Sequence, residues 1–216
     1  VNISCIEHGS LLYQILSNNH RKQEQIQQNK QLKQNKNTYT KVSKKAKKEY
    51  IKDPDALYIF TDGSSIGNGT KSADAGYGIY IAEPEELKVG IHKPLPKGST
   101  NNHAELTAIL KAMSLYKMTD IIKYKEHIVI VTDSLYSINC ITKWADKWAK
   151  HDWINSTGKE VKNKVLLQKI YKKYKKYNKY NTTLTFLHVN SHTSHKGFIY
   201  DGNRIVDKLA NGEEIN

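Results

Sequence analysis

The sequence predicts an α/β fold, a mixed sheet in which antiparallel strands come first and helix-linked parallel strands are added alongside. Three observations carry this. Leu57–Thr61, Ala75–Ala82 and Leu87–Leu95 are short strand-like runs with short connections, which make a meander. Ala104, Ala108, Ile109, Ala112, Met113 and Tyr116 then recur at helical spacing. Ile128-Val129-Ile130-Val131 is a continuous β-branched run, the pattern of a central parallel strand covered on both faces.

The 216 residues suffice for one ordinary domain with an extension. A net charge of +13 points to a polyanionic partner, against the plainer reading of a soluble lysine-rich protein. Cys5 and Cys140 lie far apart, a count that suggests neither a disulfide framework nor a zinc site. No apolar run approaches the roughly 20 residues of a membrane span, and no clear signal peptide is visible. The expectation is an intracellular monomer with no membrane partner.

Residues 1–55 read differently from the rest. Ile6, Leu11, Leu12, Ile15 and Leu16 form one small apolar cluster, followed by a Gln/Asn/Lys-rich stretch and the basic run Lys41–Lys48. This is too little apolar matter for a core. The expectation is a basic, polar extension, partly helical or flexible, acting as an electrostatic arm or as a solvated linker.

From residue 56 the elements fall in order. Leu57–Thr61 is an apolar strand ending in Asp62 and a Gly/Ser turn over Ser65–Ser72, where Gly67, Asn68 and Gly69 tolerate left-handed backbone. Pro94 and Pro96 close the third strand. Thr100, Asn101 or Asn102 caps the first helix, and Glu105 is expected in its first turn beside the stripe facing the sheet. Ile128–Val131 ends at Thr132-Asp133-Ser134, and a helix follows through Ile138, Ile141 and Trp144. Trp144–Lys164 mixes three tryptophans with lysines, and a helix over Val165–Tyr177 ends in a strongly basic tail. Leu184–Val189 is the last strand, a loop over Asn190–Gly202 carries His192 and His195, and a final helix over Asn203–Asn211 contains Asp207.

Asp62 and Asp133 each end an apolar strand, while Glu105 and Asp207 lie near the starts of helices. Ligand sites in open α/β sheets form outside such strand ends, so four carboxylates from four segments can meet there. Crowded in a low-dielectric cleft they would repel and take up protons. A divalent cation resolves this, because Mg²⁺ takes hard oxygen ligands and is commonly held by a few carboxylates plus phosphate. Two such ions about 4 Å apart can activate water on one side of a phosphodiester and stabilise the leaving oxygen on the other.

Four pieces of the sequence then match one family in order and separation. They are Thr61-Asp62-Gly63-Ser64, Asn101-Asn102-His103-Ala104-Glu105-Leu106, Thr132-Asp133-Ser134, and Gly202-Asn203 followed by Asp207-Lys208-Leu209-Ala210. Residues 56–213 resemble ribonuclease H of the type 1 cellular and viral kind. The resemblance implies a ribonuclease H-like fold with a mixed five-stranded sheet. It also implies endonucleolytic hydrolysis of the RNA strand of RNA–DNA hybrids with two Mg²⁺, Mn²⁺ being an admissible substitute, leaving 3′-hydroxyl and 5′-phosphate ends.

Asp62, Glu105, Asp133 and Asp207 match the family's metal-binding acids. Asn68, Asn101 and Asn102 match positions that contact the hybrid in its minor groove, where amides can test for 2′-hydroxyls. Residues 143–164 look like the family's basic protrusion for the DNA strand. There Trp144 and Trp148 pack on deoxyribose, Lys143, Lys147 and Lys150 meet phosphates, and the stretch Ser156–Val161 is also similar to the family's. Thr100 and Asn163 match the family's phosphate pocket.

The chain also departs from the family. The loop before the last helix is longer, so the family's mobile histidine is His192 by distance from the preceding strand or His195 by distance to Gly197-Phe198-Ile199; strand register favours His192. Arg204-Ile205-Val206 stands where a Glu and an Ala are frequent. The phosphate pocket has no Arg near Gly98, leaving Lys97 as the substitute. Rival readings are a ribonuclease H domain cut from a reverse transcriptase, a resolvase or integrase on the same fold, and a non-catalytic hybrid-binding module.

Overall fold

The computed structural model describes residues 40–41, 52–115, 127–177, 183–191 and 193–215, all within one compact unit, Asn37–Asn216. The rest of the 1–55 extension and His192 lie outside the described residues. The elements run β1 (Thr40–Lys41), β2 (Ala56–Ile66), β3 (Asp74–Ile81), β4 (Val89–Pro94), α1 (Asn101–Ala112), β5 (His127–Thr132) and α2 (Leu135–Asn139). A π turn (Cys140–Trp144), α3 (Ala145–Lys150), α4 (Lys164–Tyr177), β6 (Thr183–His188) and α5 (Phe198–Ala210) follow.

The five expected strands form one mixed sheet, β6-β5-β2-β3-β4, and the two residues of β1 add a sixth strand parallel to β6. β2, β3 and β4 are the antiparallel meander, whereas β5 and β6 are parallel to β2 and to each other. Leu57, Ile59, Ile128 and Ile130 face one core with α1 and α4. Tyr58, Phe60, Val129 and Val131 face a second with Val206 of α5. The β-branched run is thus buried on both faces, as its composition requires.

Glycines set how closely the helices approach. A Cβ on Gly63 would overlap the amide nitrogen of Glu105, so α1 lies directly on β2. A Cβ on Gly78 would stand 2.6 Å from the Val206 carbonyl oxygen, and one on Gly76 2.8 Å from that of Ala210. The ring of Phe60 fills the space beside Gly202. α5 is therefore seated across β2 and β3 on glycine, and His92 Nδ1 on β4 holds its end at 2.6 Å from the Leu209 carbonyl oxygen.

Several boundaries differ from the sequence reading. β2 does not stop before Asp62; it continues to Ile66 because β3 goes on pairing with it, Asp62 opposite Gly78 and Ile66 opposite Asp74. Glu105 is the fifth residue of α1, one turn later than expected, because the helix already starts at Asn101. α5 begins at Phe198, five residues early, with Phe198 packed edge-on against Tyr58 and Phe60.

Candidate active site

The four acids owe their convergence to a fork in the sheet. Parallel pairing between β2 and β5 ends at Phe60 opposite Val131, while β2 runs on beside β3 alone. Asp62 lies just past the fork on β2, and Asp133 directly follows β5. α1, pressed onto Gly63, brings in Glu105 from one side. Carboxylate oxygens of Asp62, Glu105 and Asp133 all lie within 4.8 Å of one another. Asp207, half-buried on α5, reaches Asp62 closely enough for a hydrogen bond between carboxyls, and its charge also acts on Asp133.

Burial is deep for charged groups: Asp62 is 7% and Glu105 6% exposed. Burial, then the Asp133 carboxylate, pushes the Asp62 pKa up to about 8, against the opposing 2.8 Å hydrogen bond from the Gly63 N–H. Burial and the charges of Asp62 and Asp133 hold Glu105 well above the usual carboxylate range. Asp133 is also raised, chiefly by burial, while a hydrogen bond from the Ser191 hydroxyl and the nearby His188 oppose the rise. Oε2 of Glu105 is buried without a hydrogen-bond partner among the described residues. A buried oxygen left so is costly. A hard cation ligated by these oxygens removes both the repulsion and the orphaned acceptor, so the residues fit a Mg²⁺-type ion.

Around the acids sit groups that the sequence did not single out. Ser64 donates its hydroxyl to Asn211 Oδ1, and Asn211 Nδ2 lies 3.4 Å from Asp207 Oδ1, a chain that orients the fourth acid. His188 Nε2 lies 3.1 Å from the Asp133 carbonyl oxygen. The Ser64–Asn211 and His188–Asp133 contacts are tertiary, with no local pattern to reveal them.

The substrate-binding candidates form two groups. Thr100 caps α1, accepting from the His103 N–H at 3.3 Å. Asn68 is exposed in the turn after β2, and its Oδ1 accepts the Asn101 N–H at 3.1 Å. Asn102 is exposed beside it. Asn163, with left-handed backbone (φ 60°), lies beside α1, its Oδ1 3.3 Å from His103 Nδ1. Asn68, Thr100, Asn101, Asn102 and Asn163 therefore gather at the start of α1, four residues or fewer from Glu105 in the case of its own helix. Lys97, the expected stand-in for a pocket Arg, is instead 3.5 Å from Asp74.

The second group is the protrusion. Trp144 and Trp148 are 5.7 Å apart, Trp148 and Trp153 6.3 Å, and Trp153 and Tyr171 6.0 Å. Trp144 is exposed and Trp153 buried, so the ladder runs from surface to core. Ser156 is exposed in a tight turn where Asn155 Oδ1 accepts from the backbone N–H groups of Thr157 and Lys159. Tyr171 donates to Asp146 at 2.6 Å and Lys175 pairs with it at 2.8 Å, fastening α3 to α4. His195 is exposed, its ring 5.1 Å from that of Tyr200 and its carbonyl bonded by Arg204 at 2.8 Å.

This strand order and the buried carboxylate cluster at the fork define a ribonuclease H-like α/β protein. A sequence profile described as RNase H matches residues 54–214. Ribonuclease H1 of Rattus norvegicus is 35% identical over 156 residues, 72% of this chain and 49% of that protein. Ribonuclease H of Clostridium botulinum is 35% identical over 156 residues, 72% of this chain and 93% of that protein. The solution structure of the PFV RNase H domain shares the fold, with a TM-score of 0.57 and 24% identity over 72% of this chain and 92% of that one. The chain belongs to the ribonuclease H family, a family of enzymes, and spans about half the length of the mammalian relatives it matches.

Proposed function

We propose that residues 56–213 form a catalytic domain that hydrolyses the RNA strand of RNA–DNA hybrids, leaving 3′-hydroxyl and 5′-phosphate ends, and that it works as a monomer. One observation carries the reading. Three acids share a buried site with a Glu105 oxygen that has no hydrogen-bond partner among the described residues, beside the exposed Asn68 and Asn102 and the half-buried Asn101 at the start of α1. Carboxylates facing a phosphate backbone would only weaken a binding module, so the arrangement supports catalysis. Kinship with proteins named ribonuclease H supports the choice of substrate.

Asp62, Glu105, Asp133 and Asp207 would hold two Mg²⁺ ions, with Mn²⁺ able to substitute. When bound, these ions would supply Lewis-acid polarisation of the phosphodiester and neutralise developing charge. The chain's own groups do the rest. Because Asn68 Oδ1 is occupied by the Asn101 N–H, its amide N–H₂ is left to address a 2′-hydroxyl in the minor groove. Asn101 and Asn102 extend that test along the groove. Thr100 and Asn163 hold a backbone phosphate. Trp144 and Trp148 pack on the deoxyriboses of the DNA strand, which lack the 2′-oxygen, and Ser156 borders that channel. His192 is the proton carrier of the adjacent loop, since Arg204 ties the His195 backbone down.

Labelled hybrid, duplex DNA and duplex RNA of one sequence, each incubated with and without Mg²⁺, test this. Mg²⁺-dependent cutting confined to the RNA strand of the hybrid is expected. Equal cutting of duplex DNA, or none of the hybrid, would overturn it.

A further inference from the structure

The strongly basic helix α4 has a face that the hybrid site leaves unused. Its apolar side, Leu167, Ile170, Tyr174 and Tyr177, is buried, and Tyr171 and Lys175 turn toward Asp146 of α3. At 100° per residue Lys169, Lys172, Lys173 and Lys176 fall within an arc of about 100°, centred roughly 130° from the buried side. Lys169, Lys172 and Lys176 are exposed and Lys173 is half-buried.

Two features separate this stripe from an ordinary solvated face. α4 contains no acidic residue, although lysine-rich surface helices gain from Glu three or four positions away and lose from like charges there. The lysines on its other sides do have acids, Lys164 at 2.8 Å from Glu160 and Lys175 at 2.8 Å from Asp146. Among the described residues none of the four stripe lysines makes an ion pair. The fold therefore keeps four mutually repelling charges in line, and a polyanion would relieve that repulsion.

The length of the stripe suits one kind of polyanion. The four charges span about 10 Å of helix, about the axial length of three base pairs at roughly 3.4 Å each, so they can face several neighbouring phosphates of a duplex. We propose that the Lys169–Lys172–Lys173–Lys176 face of α4 binds the phosphate backbone of duplex lying beyond the segment held over the carboxylates. It would extend the footprint on long hybrids. The inference rests on the proposed hybrid reading for its substrate.

The test uses the full chain, a K169Q/K172Q/K173Q/K176Q variant and a charge-preserving K169R/K172R/K173R/K176R variant. Each is titrated without divalent metal against a hybrid of about one helical turn and one of several turns, across a salt series. On the long hybrid the Gln variant is expected to bind at least about tenfold more weakly at low salt, with a log K against log salt slope shallower by about 2–3, while the Arg variant matches the parent. On the short hybrid all three should agree, and their melting temperatures should show the Gln variant no less stable than the parent. An unchanged slope on the long hybrid would overturn the proposal. So would equal losses on short and long hybrids. The proposed function fails by a different reading: absence of Mg²⁺-dependent cutting of the short hybrid by the parent.

Discussion

Asp62 is the residue on which the site's energetics turn. Its folded pKa of about 8 stands far above the 3.8 of an ordinary Asp, with burial as the first cause. The sign follows directly. Between pH ~4 and ~8 the unfolded chain has lost this proton and the folded one keeps it, so in metal-free protein the group's contribution is fully present at low pH and falls as pH rises through that window. Metal-free stability measured by urea titration should therefore decline from pH 5 to pH 8, and added Mg²⁺ should restore more at the upper end. Asp62→Asn removes the charge while keeping the shape. It should stabilise the metal-free protein at pH 8, seen as a higher urea midpoint, and flatten the pH dependence. A variant equal to or weaker than the parent in that titration would count against the carboxylate crowding.

At the same scale, Asp62 and Asp133 were legible as acids at apolar strand ends and Glu105 as an acid beside a helical stripe, whereas Asp207, expected near the start of the last helix, is the tenth residue of α5 because that helix begins at Phe198. Ser191, Asn211 and His188 were not legible. Ser191 reaches Asp133 only through the β5–β6 arrangement, and Asn211 reaches Ser64 across 147 positions of sequence. Such contacts leave no periodicity to read.

Among the elements, the approach of α1 to β2 is the most demanding. Gly63 has no room for a side chain against the Glu105 backbone. Gly63→Ala should cost about 1–3 kcal/mol by overpacking, seen as a lowered denaturation midpoint, and should lower cleavage further by displacing Glu105. The protrusion depends on a weaker join. Asp146 is partly exposed and binds Tyr171 and Lys175, so Asp146→Ala should cost only about 0.5–1 kcal/mol. Loosening α3 should raise KM for hybrid several-fold with little change in kcat; a fall in kcat alone would disconnect this join from substrate binding.

The element boundaries show where sequence patterning runs out. Leu57–Thr61 reads as a complete strand because its apolar run ends there, yet β3 keeps pairing with the polar residues to Ile66. α5 starts at Phe198 because aromatic packing on Tyr58 and Phe60, not a capping residue, fixes its entry. The π turn at Cys140–Trp144 interrupts what looks like one helical stripe. In the first two cases a tertiary contact overrides a local signal.

Across the whole molecule, fold class was readable because two distinct periods occur in fixed order: a strand meander, then helices alternating with buried strands. Sheet order was not written in any local pattern, and the two-residue β1 beside β6 carried no signal in the polar segment around Thr40. The charge of +13 pointed to a polyanion; the basic stretch 143–164 was visible in the sequence, but the grouping of Lys169, Lys172, Lys173 and Lys176 on one face of α4 follows from helical geometry.

Cleavage and binding measured together on one labelled RNA–DNA hybrid test the carboxylate site most directly. Parent and Asp62→Asn proteins are compared in Mg²⁺ for RNA-strand cutting and, in the same buffer, for hybrid affinity. The carboxylate site predicts that the variant loses roughly 10³-fold or more in rate, several kcal/mol of transition-state stabilisation, while its affinity stays equal or rises as repulsion from phosphate is relieved. Retained cutting by the variant, or a parallel collapse of binding, would contradict it.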